Sequence, residues 1–526
     1  MGAASFFVLA SPFLAFLKRY HYALLRADIL LCLSVMAVVA GMIGLAARVS
    51  TRAAAIALAL VMTLLIDAQF GVLRDGYALV AAFTGLWAGL TFFARYFTPA
   101  LATGGAVMFV ATAVLPASAD GLRPPAERTS GATSLPLIVH IVLDAHIGLA
   151  GLQDVSGGDR LGDEIEVFFR RHRFQLFGSA YSEYFDTYRS LGHELNFSPG
   201  EHVAGLYSSD GNSHVWTLRR NAYFRDLIRD GYALTVYQST FLDVCGDARA
   251  RAACHTYDHT GIAALQSVPL SVADKASAIL TIYAGRTRLY RELSFQYAKL
   301  QSRLAAFGIR MPIWQNRANT FSPLIALETM RRLKRDMATA RRGDYVFAHL
   351  LLPHGPYVLD AGCNLLPPAR WLTRIAAEAP RGAMNTADSR ELRYERYAEQ
   401  VRCVYRQLEG VLGAIPAEQR HDAIIIVQGD HGARITMTDP DPLPARTSAL
   451  SPADFVDSYS TLFAVRAPKL APGYDERMVS ITCLLKALAD ADYENTLRLG
   501  SCSSEPEVFL STASGKIEAR QLPSFD

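Results

Sequence analysis

The sequence lacks a strong net charge, and it shows no internal repeat or low-complexity tract. Its 526 residues contain 52 lysines and arginines against 49 acids, a formal charge of +3 at pH 7. This small excess is scattered along the chain and does not form the basic surface that nucleic-acid binding requires, so we expect no nucleic-acid partner. The length by itself allows two or more domains.

Cysteine is nearly absent from the first 240 residues of the chain. Cys32 is the single cysteine before residue 240, and the other six follow that point. No Cys-x-x-Cys occurs, which disfavours zinc-finger chemistry, and an even count after apolar segments favours disulfides and an oxidising compartment. Six free thiols are the alternative, and the sequence does not distinguish among the fifteen pairings that six cysteines allow. The pairing we prefer joins neighbours along the chain: Cys245–Cys254, Cys363–Cys403 and Cys483–Cys502.

Charged residues are scarce before about residue 118, where the apolar content is concentrated. Four stretches there each approach the ~20 residues that cross a bilayer, and a soluble helical domain is the less favoured interpretation of four in a row. They are Ile29–Ala47, Ala53–Leu73, Tyr77–Ala94 and Leu101–Ala119. A fifth stretch, Ala3–Leu17, is shorter and carries Pro12, so it could span the bilayer, lie in the interface or re-enter. We expect a transmembrane helical domain over residues 1–119, with four or five segments.

The orientation of these segments stays open. Basic residues between 18 and 26 favour a cytoplasmic first loop, whereas those between 48 and 52 favour a cytoplasmic second loop. Both cannot hold if Ile29–Ala47 spans the bilayer. The next stretch, Asp120–Leu135, is polar and has the composition of a linker, so we place a linker at 120–136 and a second domain at 137–526. Ala117–Ala119 before it has the small-x-small form of a signal-peptidase site, and a helix end of small residues is the alternative.

Two short β-branched runs in the second domain end next to acids. Leu137–Leu143 is followed by Asp144, and Ala423–Gln428 runs through a glycine into Asp430 and His431. Such runs are typical of parallel strands that are covered on both faces, and ligand sites form where these strands end. The three polar residues should therefore meet at one edge of a sheet. Two carboxylates and an imidazole suit a divalent metal, although either acid alone is more often a loop residue or a helix cap.

Helical and strand patterns alternate through the same domain, which predicts a doubly wound α/β fold with a mostly parallel sheet. The segments are a helix at Trp216–Asp230, a strand at Tyr232–Tyr237, a helix from Ser322 to about Ala340, a strand at Tyr345–Leu351, a helix at Arg390–Leu412 and a strand at Thr461–Arg466.

A metal site of this kind still needs a nucleophile, either a metal-bound hydroxide or a side-chain hydroxyl. The candidate segment is Tyr181–Asn196, which is polar and aromatic-rich, lies soon after the first strand and contains the hydroxyls of Thr187 and Ser190. Alone, this segment would be interpreted as a surface loop and helix start, with Asp186 or Thr187 as the cap.

Four segments, in order, resemble motifs of the sulfatase-like branch of the alkaline phosphatase superfamily. They read IVLDAH, EYFDTYRSLGHELN, AHLLLPHGPYVLDAGC and IIIVQGDHGAR. The resemblance covers about Leu137 to Cys502. With apolar segments before such a domain, the chain looks most similar to membrane-anchored lipoteichoic-acid synthases, phosphoglycerol transferases and phosphoethanolamine transferases.

The resemblance implies a role for each matching residue. Thr187 would be the nucleophile and one ligand of a single divalent ion, which would be Mn, Mg or Zn. The remaining ligands would be Asp144, Asp430 and His431. His354 would hold the substrate phosphate or protonate the leaving group. Arg434, shortly after the Asp-His pair, has the fork that binds a phosphate oxygen, and a surface role is its alternative.

Departures from the family pattern narrow the chemistry. The Cys/Ser-x-Pro-x-Arg pentapeptide of true sulfatases does not occur, which disfavours sulfate-ester hydrolysis. Ala145 stands where a second acid often follows the first, which favours one metal rather than two. His193 lies where the relatives more usually have a small residue, and a place on a helix face is the simplest interpretation of it.

We therefore expect a multi-pass protein of the inner or plasma membrane with an extracytoplasmic catalytic domain. Its partners would be the lipid bilayer and a lipid-linked or glycan substrate of the cell envelope, on which it transfers or hydrolyses a phosphate-linked group. The alternatives are a sulfatase or phosphodiesterase acting by simple hydrolysis, and a non-catalytic membrane scaffold that retains the fold.

Overall fold

The computed structural model of the chain divides into two compact units. One contains Met1–Arg123 and Thr260–Phe321, and the other contains Pro124–His259 and Ser322–Asp526. Contacts thus group Thr260–Phe321 with the N-terminal helices, whereas the sequence placed this segment in the second domain. The structure describes the chain except residues 71–75, 116–130, 154, 210–215, 306, 310, 312–320, 377–378, 380–382, 442–450, 492–501, 503–504, 513–516 and 526. The possible cleavage site and most of the predicted linker lie outside the described residues.

The helices are numbered along the chain. They are α1 Gly2–Arg19, α2 Ala27–Val49, α3 Thr51–Phe70, α4 Gly76–Phe92, α5 Ala94–Val114, α6 Gly158–Arg171, α7 Thr187–Glu194, α8 Val203–Leu206, α9 Ala222–Arg229, α10 Val272–Gly285, α11 Arg288–Ala305, α12 Ser322–Met337, α13 Ala387–Ala414, α14 Ala417–Arg420, α15 Pro452–Tyr459 and α16 Ile481–Asp490.

The strands are numbered in the same way. They are β1 Ile138–Leu143, β2 Gln175–Phe177, β3 Ala180–Tyr181, β4 Tyr207–Ser209, β5 Trp216–Leu218, β6 Ala233–Ser239, β7 Leu242–Asp243, β8 Ala252–Tyr257, β9 Asp344–Leu350, β10 Ile424–Gly429, β11 Phe463–Arg466, β12 Gly473–Asp475, β13 Val479–Ser480, β14 Glu507–Ser511 and β15 Ile517–Gln521.

The first unit is helical, as the apolar stretches predicted. Three of its helical segments are long and apolar enough to cross a membrane: Gly2–Arg19, Ala27–Val49 and Tyr96–Val114. Tyr77–Phe92 is a shorter apolar helix. The short stretch Ala3–Leu17 lies within one continuous helix, Gly2–Arg19, in spite of Pro12. The number of membrane passes stays a prediction.

The second unit is built on an eight-stranded sheet with the order β12-β2-β11-β10-β1-β9-β6-β8. β1 lies between β10 and β9, and it is parallel to both. β6 and β8 continue the parallel block, while β11 pairs antiparallel with β10. The predicted α/β class with a mostly parallel sheet is confirmed. Every residue of β1, β9 and β10 is buried, which explains why these strands read as continuous apolar runs.

One predicted helix is wrong at its start. Trp216–Leu218 forms a strand that pairs antiparallel with β4, and the helix begins only at Ala222. The boundary is set by Asn221, whose side-chain oxygen accepts a hydrogen bond from the Phe224 amide at 2.9 Å. Asparagine at this position satisfies an amide that the first turn leaves unpaired, so the helix starts after it.

The preferred disulfide pairing is confirmed. Cys245–Cys254, Cys363–Cys403 and Cys483–Cys502 are bonded, and Cys32 is free and buried.

Candidate metal centre

The ends of the three central strands bring the predicted ligands together. Leu143 pairs with Gly429, so Asp144 and Asp430 are the next residues on two neighbouring strands. His431 follows directly. One ligand atom from each of these three residues lies within 4.8 Å of the others, and all three residues are buried. Sequence reasoning predicted this meeting across 286 positions because parallel strands end at the same edge.

The main chain orients the side chains of two candidate metal ligands, Asp430 and His431. Asp430 Oδ1 accepts hydrogen bonds from the amides of Ala145 at 2.9 Å and His431 at 3.0 Å. His431 Nδ1 lies 2.9 Å from the carbonyl oxygen of Gly432, to which it donates. These contacts leave Asp430 Oδ2 and the lone pair of His431 Nε2 facing each other at 3.3 Å. Hydrogen bonds of this kind fix the tautomer and orientation of metal-binding side chains.

The donor set fits a divalent cation. Asp144 Oδ1 and Asp430 Oδ2 are buried without a hydrogen-bond partner, and Asp144 Oδ1 lies 3.6 Å from His431 Nε2. Buried carboxylate oxygens that lack partners are costly, and a cation would offset that cost. Two oxygens and one imidazole nitrogen suit Zn or Mn and accommodate Mg less readily.

The electrostatics of the two acids point the same way. Burial and the negative charge of Asp144 raise the pKa of Asp430 to about 7. Burial raises the pKa of Asp144, but its interactions with the imidazoles of His354, His349 and His431 lower it overall. Burial lowers the pKa of His431 well below its usual value, so the imidazole is neutral, which is the form that binds metals.

Close backbone contacts hold the Asp-His pair in place. A β-carbon on Gly429 would lie 2.4 Å from Thr461 Oγ1, and one on Gly432 would lie 2.0 Å from the carbonyl oxygen of Asp457. Ala145 has a φ of 61°, a left-handed conformation that non-glycine residues adopt rarely. This conformation is coupled to the site, because the Ala145 amide is the one that binds Asp430.

Thr187 is the first residue of α7 and reaches the ligand cluster from the helix start. Asp186 caps the helix by accepting a hydrogen bond from the Arg189 amide at 3.1 Å, and Arg189 is itself paired with Asp186 and Asp441. Thr187 Oγ1 lies 3.2 Å from His431 Nε2 and 3.5 Å from Asp144 Oδ2. Both neighbours are acceptors here, so the Thr187 hydroxyl donates towards the cluster.

Ser190, the competitor of Thr187, is turned away from the cluster. Its Oγ lies 2.8 Å from Ser182 Oγ and donates to the main-chain carbonyl of Asp430 at 2.5 Å. These contacts make Ser190 a residue that ties α7 to the end of β10.

His354 and Arg434 lie together and contact each other through their side chains. Arg434 Nη2 lies 3.2 Å from His354 Nε2, and the guanidinium lies 5.0 Å from the centre of the Phe185 ring. Because a guanidinium only donates, His354 Nε2 accepts this bond and carries no proton in this arrangement. Arg434 Nε is buried without a partner, a donor that a phosphate oxygen would satisfy.

The loop that carries His354 is fastened to α13. Gln400 Nε2 donates to the carbonyl oxygens of Pro353 at 3.1 Å and His354 at 3.0 Å. Its Oε1 accepts from the amide of Val358 at 3.2 Å, and the Cys363–Cys403 disulfide joins the same loop to the same helix.

His349 is the site residue that sequence reasoning missed. It is the penultimate residue of β9, fully buried, with Nε2 3.6 Å from Asp144 Oδ2 and with neither ring nitrogen hydrogen-bonded. The signal was present in the sequence, since His349 interrupts a strand that is otherwise apolar. A lone histidine in such a run is more often part of the core, so the pattern by itself does not predict a site residue.

His193, for which the sequence offered only a helix face, has a structural position. Its ring stacks on Tyr184 with the centroids 4.1 Å apart, and its nitrogens lie 2.6 Å from the carbonyl oxygens of Arg189 and Glu201. The ring is fully buried, and both of its nitrogens are engaged by the main chain rather than by the ligand cluster.

Comparisons with known proteins give structural neighbours only. No protein-family model matches the chain, and no curated protein sequence matches it. Similar solved structures include a protein in the alkaline phosphatase superfamily from Vibrio parahaemolyticus, 12% identical, covering 74% of this chain and 75% of that one with a TM-score of 0.36. Another is the C-terminal periplasmic domain of phosphoethanolamine transferase EptC from Campylobacter jejuni, 10% identical, covering 68% and 89% with a TM-score of 0.37. A third is phosphonate monoester hydrolase of Agrobacterium radiobacter, 12% identical, covering 72% and 80% with a TM-score of 0.36.

Identities of 10–12% and TM-scores below 0.4 are too low to assign an activity to this chain.

Proposed function

We propose that the protein is a membrane-anchored, metal-dependent enzyme that moves a phosphate-linked group of a lipid or cell-envelope glycan through Thr187. The observation that carries this proposal is the position of the Thr187 hydroxyl, 3.2 Å from His431 Nε2 and 3.5 Å from Asp144 Oδ2. This hydroxyl lies at the start of a helix, beside two buried carboxylates and a neutral imidazole. A nucleophile that is activated by a bound cation would need the same position.

The ligands of the cation would be Asp144, Asp430, His431 and Thr187. When bound, a divalent cation lowers the pKa of a coordinated hydroxyl and neutralises the charge that develops on phosphoryl oxygens. His349 faces Asp144 from β9 and would orient this carboxylate.

The first half of the reaction forms a covalent enzyme. Thr187 Oγ1, having lost its proton to solvent, forms a bond to phosphorus while the bond from phosphorus to the leaving oxygen breaks. Arg434 and His354 face the phosphoryl group from the other side. Because His354 Nε2 accepts a hydrogen bond from Arg434, it carries no proton for the leaving oxygen, and His354 would help to hold the phosphoryl group by orienting the Arg434 guanidinium. The leaving oxygen then takes its proton from water.

The second half of the reaction transfers the group from phosphorylated Thr187 to water or to an acceptor hydroxyl. Attack on phosphorus by the acceptor oxygen breaks the Thr187 Oγ1–phosphorus bond and returns the hydroxyl. The identity of the acceptor decides between a hydrolase and a transferase, and the apolar N-terminal helices support a lipid-linked acceptor or donor. Three disulfides in the same unit as the site support a location outside the cytoplasm.

The test of Thr187 is the Thr187→Ala variant, with Thr187→Ser as its matched control. Thr187→Ala should lose turnover by at least about 10³-fold, because no other hydroxyl occupies this place, and it should keep most of its metal because three ligands remain. Thr187→Ser should retain measurable activity. Mass spectrometry of the wild-type protein, quenched after mixing with a labelled phospholipid, should find the group on Thr187. A group on Ser190, or full activity of Thr187→Ala, would refute the nucleophile.

Labelled phospholipid with and without an acceptor separates the two reaction types. A transferase gives little product until the glycan or lipid acceptor is added, whereas a hydrolase releases product in water alone. Turnover of an aryl sulfate in preference to the phosphodiester would favour the sulfatase alternative instead.

A further inference from the structure

α11 and the turn after it expose an apolar stripe. Leu293, Leu300 and Phe307 are spaced seven residues apart, and their side chains are 49%, 46% and 80% exposed. Leu293 and Leu300 therefore fall close to one line along α11, and Phe307 lies in the turn after the end of the helix. Ile309, which is 52% exposed, extends the stripe past the helix end. Large apolar side chains in a row, open on one side of a helix, indicate a surface that something covers.

The charge of the same segment identifies what covers it. Residues 286–310 contain six basic residues and a single acid, Glu292, a net charge of +5 that exceeds the +3 of the whole chain. The basic residues are Arg286, Arg288, Arg291, Lys299, Arg303 and Arg310. A basic helix with one apolar stripe is typical of segments that lie in a membrane interface, where the stripe enters the acyl region and the cations meet anionic headgroups.

The unit to which α11 belongs strengthens this interpretation. α10 packs on the N-terminal helices: the ring of Tyr283 lies 5.4 Å from that of Phe13, and Cys32 Sγ lies 3.6 Å from the carbonyl oxygen of Ala276. Arg286, between α10 and α11, lies 5.4 Å above the ring of Phe16. α11 therefore follows directly on a helix that packs against the helices that are apolar enough to cross a membrane. It carries too many charges to be a span itself.

We propose that α11 is an interfacial helix that binds the surface of an anionic lipid bilayer. The inference rests on the proposed membrane anchoring, and it adds a second point of attachment far along the chain, between β8 and α12. A second copy of the same segment is the competing occupant of the stripe. Its charge of +5 would repel an identical partner, whereas anionic headgroups attract it.

Cysteine scanning of the full chain in vesicles tests this proposal. In a Cys32→Ala background, single Leu300→Cys, Glu292→Cys and Val38→Cys variants are labelled with a polarity-sensitive dye, and quenching by acyl-chain spin-labelled lipid is measured. Leu300 samples the stripe, Glu292 the exposed polar flank of the same helix, and Val38, 63% exposed on α2, the proposed span. The vesicles are phosphatidylcholine alone, or phosphatidylcholine mixed with phosphatidylglycerol.

In mixed vesicles we expect quenching at Leu300→Cys to be several-fold stronger than at Glu292→Cys, and to weaken in phosphatidylcholine alone or in high salt. Absence of quenching at Val38→Cys would overturn the membrane anchoring itself. Quenching at Val38→Cys with none at Leu300→Cys, or equal quenching at positions 292 and 300, would overturn the interfacial helix alone. Strong quenching at Leu300→Cys in both vesicle types would overturn the selection for anionic lipid.

Discussion

The candidate site has two parts that are built differently. We call the cluster of Asp144, Asp430 and His431 the metal side, and the pair of His354 and Arg434 the outer side. On the metal side, Asp430 and His431 are fixed by main-chain amides and a carbonyl oxygen at the end of a central strand. On the outer side, His354 and Arg434 contact each other through their side chains, and both are partly exposed. The one further main-chain contact of the Arg434 guanidinium that the described residues show is a long hydrogen bond to the carbonyl oxygen of Phe185, at 3.4 Å. The loop that carries His354 is fastened to α13 by Gln400 and by one disulfide.

This difference matches the work that each side would do. A metal site needs fixed ligand positions, and the ends of buried parallel strands supply them because the whole sheet would have to shift to move one ligand. A surface that accepts a phosphate-linked group must admit and release it, and partly exposed side chains on a loop can do so. The metal side should therefore respond to substitution with loss of the ion, and the outer side with loss of turnover alone.

The largest effect should follow from Asp430→Asn, which removes a charged ligand while keeping its shape. We expect the metal content to drop sharply and turnover to fall by at least about 10³-fold, since the negative charge that offsets the cation is halved. Elemental analysis of purified protein, beside an assay with labelled phospholipid, measures both. The exposed control Asp388→Asn should leave both unchanged, and equal metal content in Asp430→Asn and wild type would remove the site as described.

Arg434→Gln should affect the outer side alone. Loss of one charged donor to the phosphoryl group should lower turnover by about 10²-fold, while the metal content stays at the wild-type level. Arg434→Lys keeps the charge but loses the planar fork, so it should recover only part of the activity. A fall in metal content in Arg434→Gln would show that the two sides are not separate.

Two disulfides can be compared directly: Cys363–Cys403 holds the His354 loop, and Cys245–Cys254 joins other elements. The double variant Cys363→Ser/Cys403→Ser opens the loop fastening, and Cys245→Ser/Cys254→Ser opens a bridge between the end of β7 and β8. Each should lower the free energy of unfolding by about 2–4 kcal/mol. Only the first should also lower turnover, by about tenfold, because only that bridge holds the His354 loop. Denaturant unfolding and the phospholipid assay measure these effects, and equal turnover in both variants would contradict the assignment.

The smallest expected effect is on the pH dependence of stability, and it concerns Glu194, a buried acid that contacts the β10 residue Gln428. Gln428 Nε2 donates to Glu194 Oε1 at 2.6 Å, Glu194 Oε2 has no partner, and burial raises the Glu194 pKa from 4.5 to about 8. A raised pKa stabilises the folded state fully below 4.5, and this contribution is lost as the pH rises through about 8.

Glutamine cannot ionise, so Glu194→Gln should remove part of the stability loss that the wild-type protein shows as the pH rises. We expect the melting temperature of the variant to fall less than that of the wild type between pH 5 and pH 9, by about 5 °C or less. The exposed control Glu418→Gln should follow the wild-type curve. Parallel curves for Glu194→Gln and wild type would show that Glu194 is not protonated in the folded protein.

Local sequence was sufficient for the parts of the site that depend on strand ends. The apolar runs before Asp144 and Asp430 predicted buried parallel strands, and parallel strands necessarily end at one edge of their sheet. The same reasoning predicted the α/β class, and the preferred pairing of six cysteines joined neighbours along the chain. The roles of Thr187 and His354 stay predictions from the resemblance, and that of Arg434 stays a prediction from its position after the Asp-His pair.

Tertiary structure decided what depends on distant contacts. His349 approaches Asp144 because β9 and β1 are in register with Val142 opposite His349, which no local pattern reveals. Arg434 meets His354, and Ser190 turns to the Asp430 carbonyl, through contacts that join separate elements. Residues 260–321 group with the N-terminal helices although they lie between two strands of the sheet. Sequence determines which residues are buried and where strands stop, because these follow from local apolar pattern. It does not determine which side chains meet, because that depends on the packing of the whole chain.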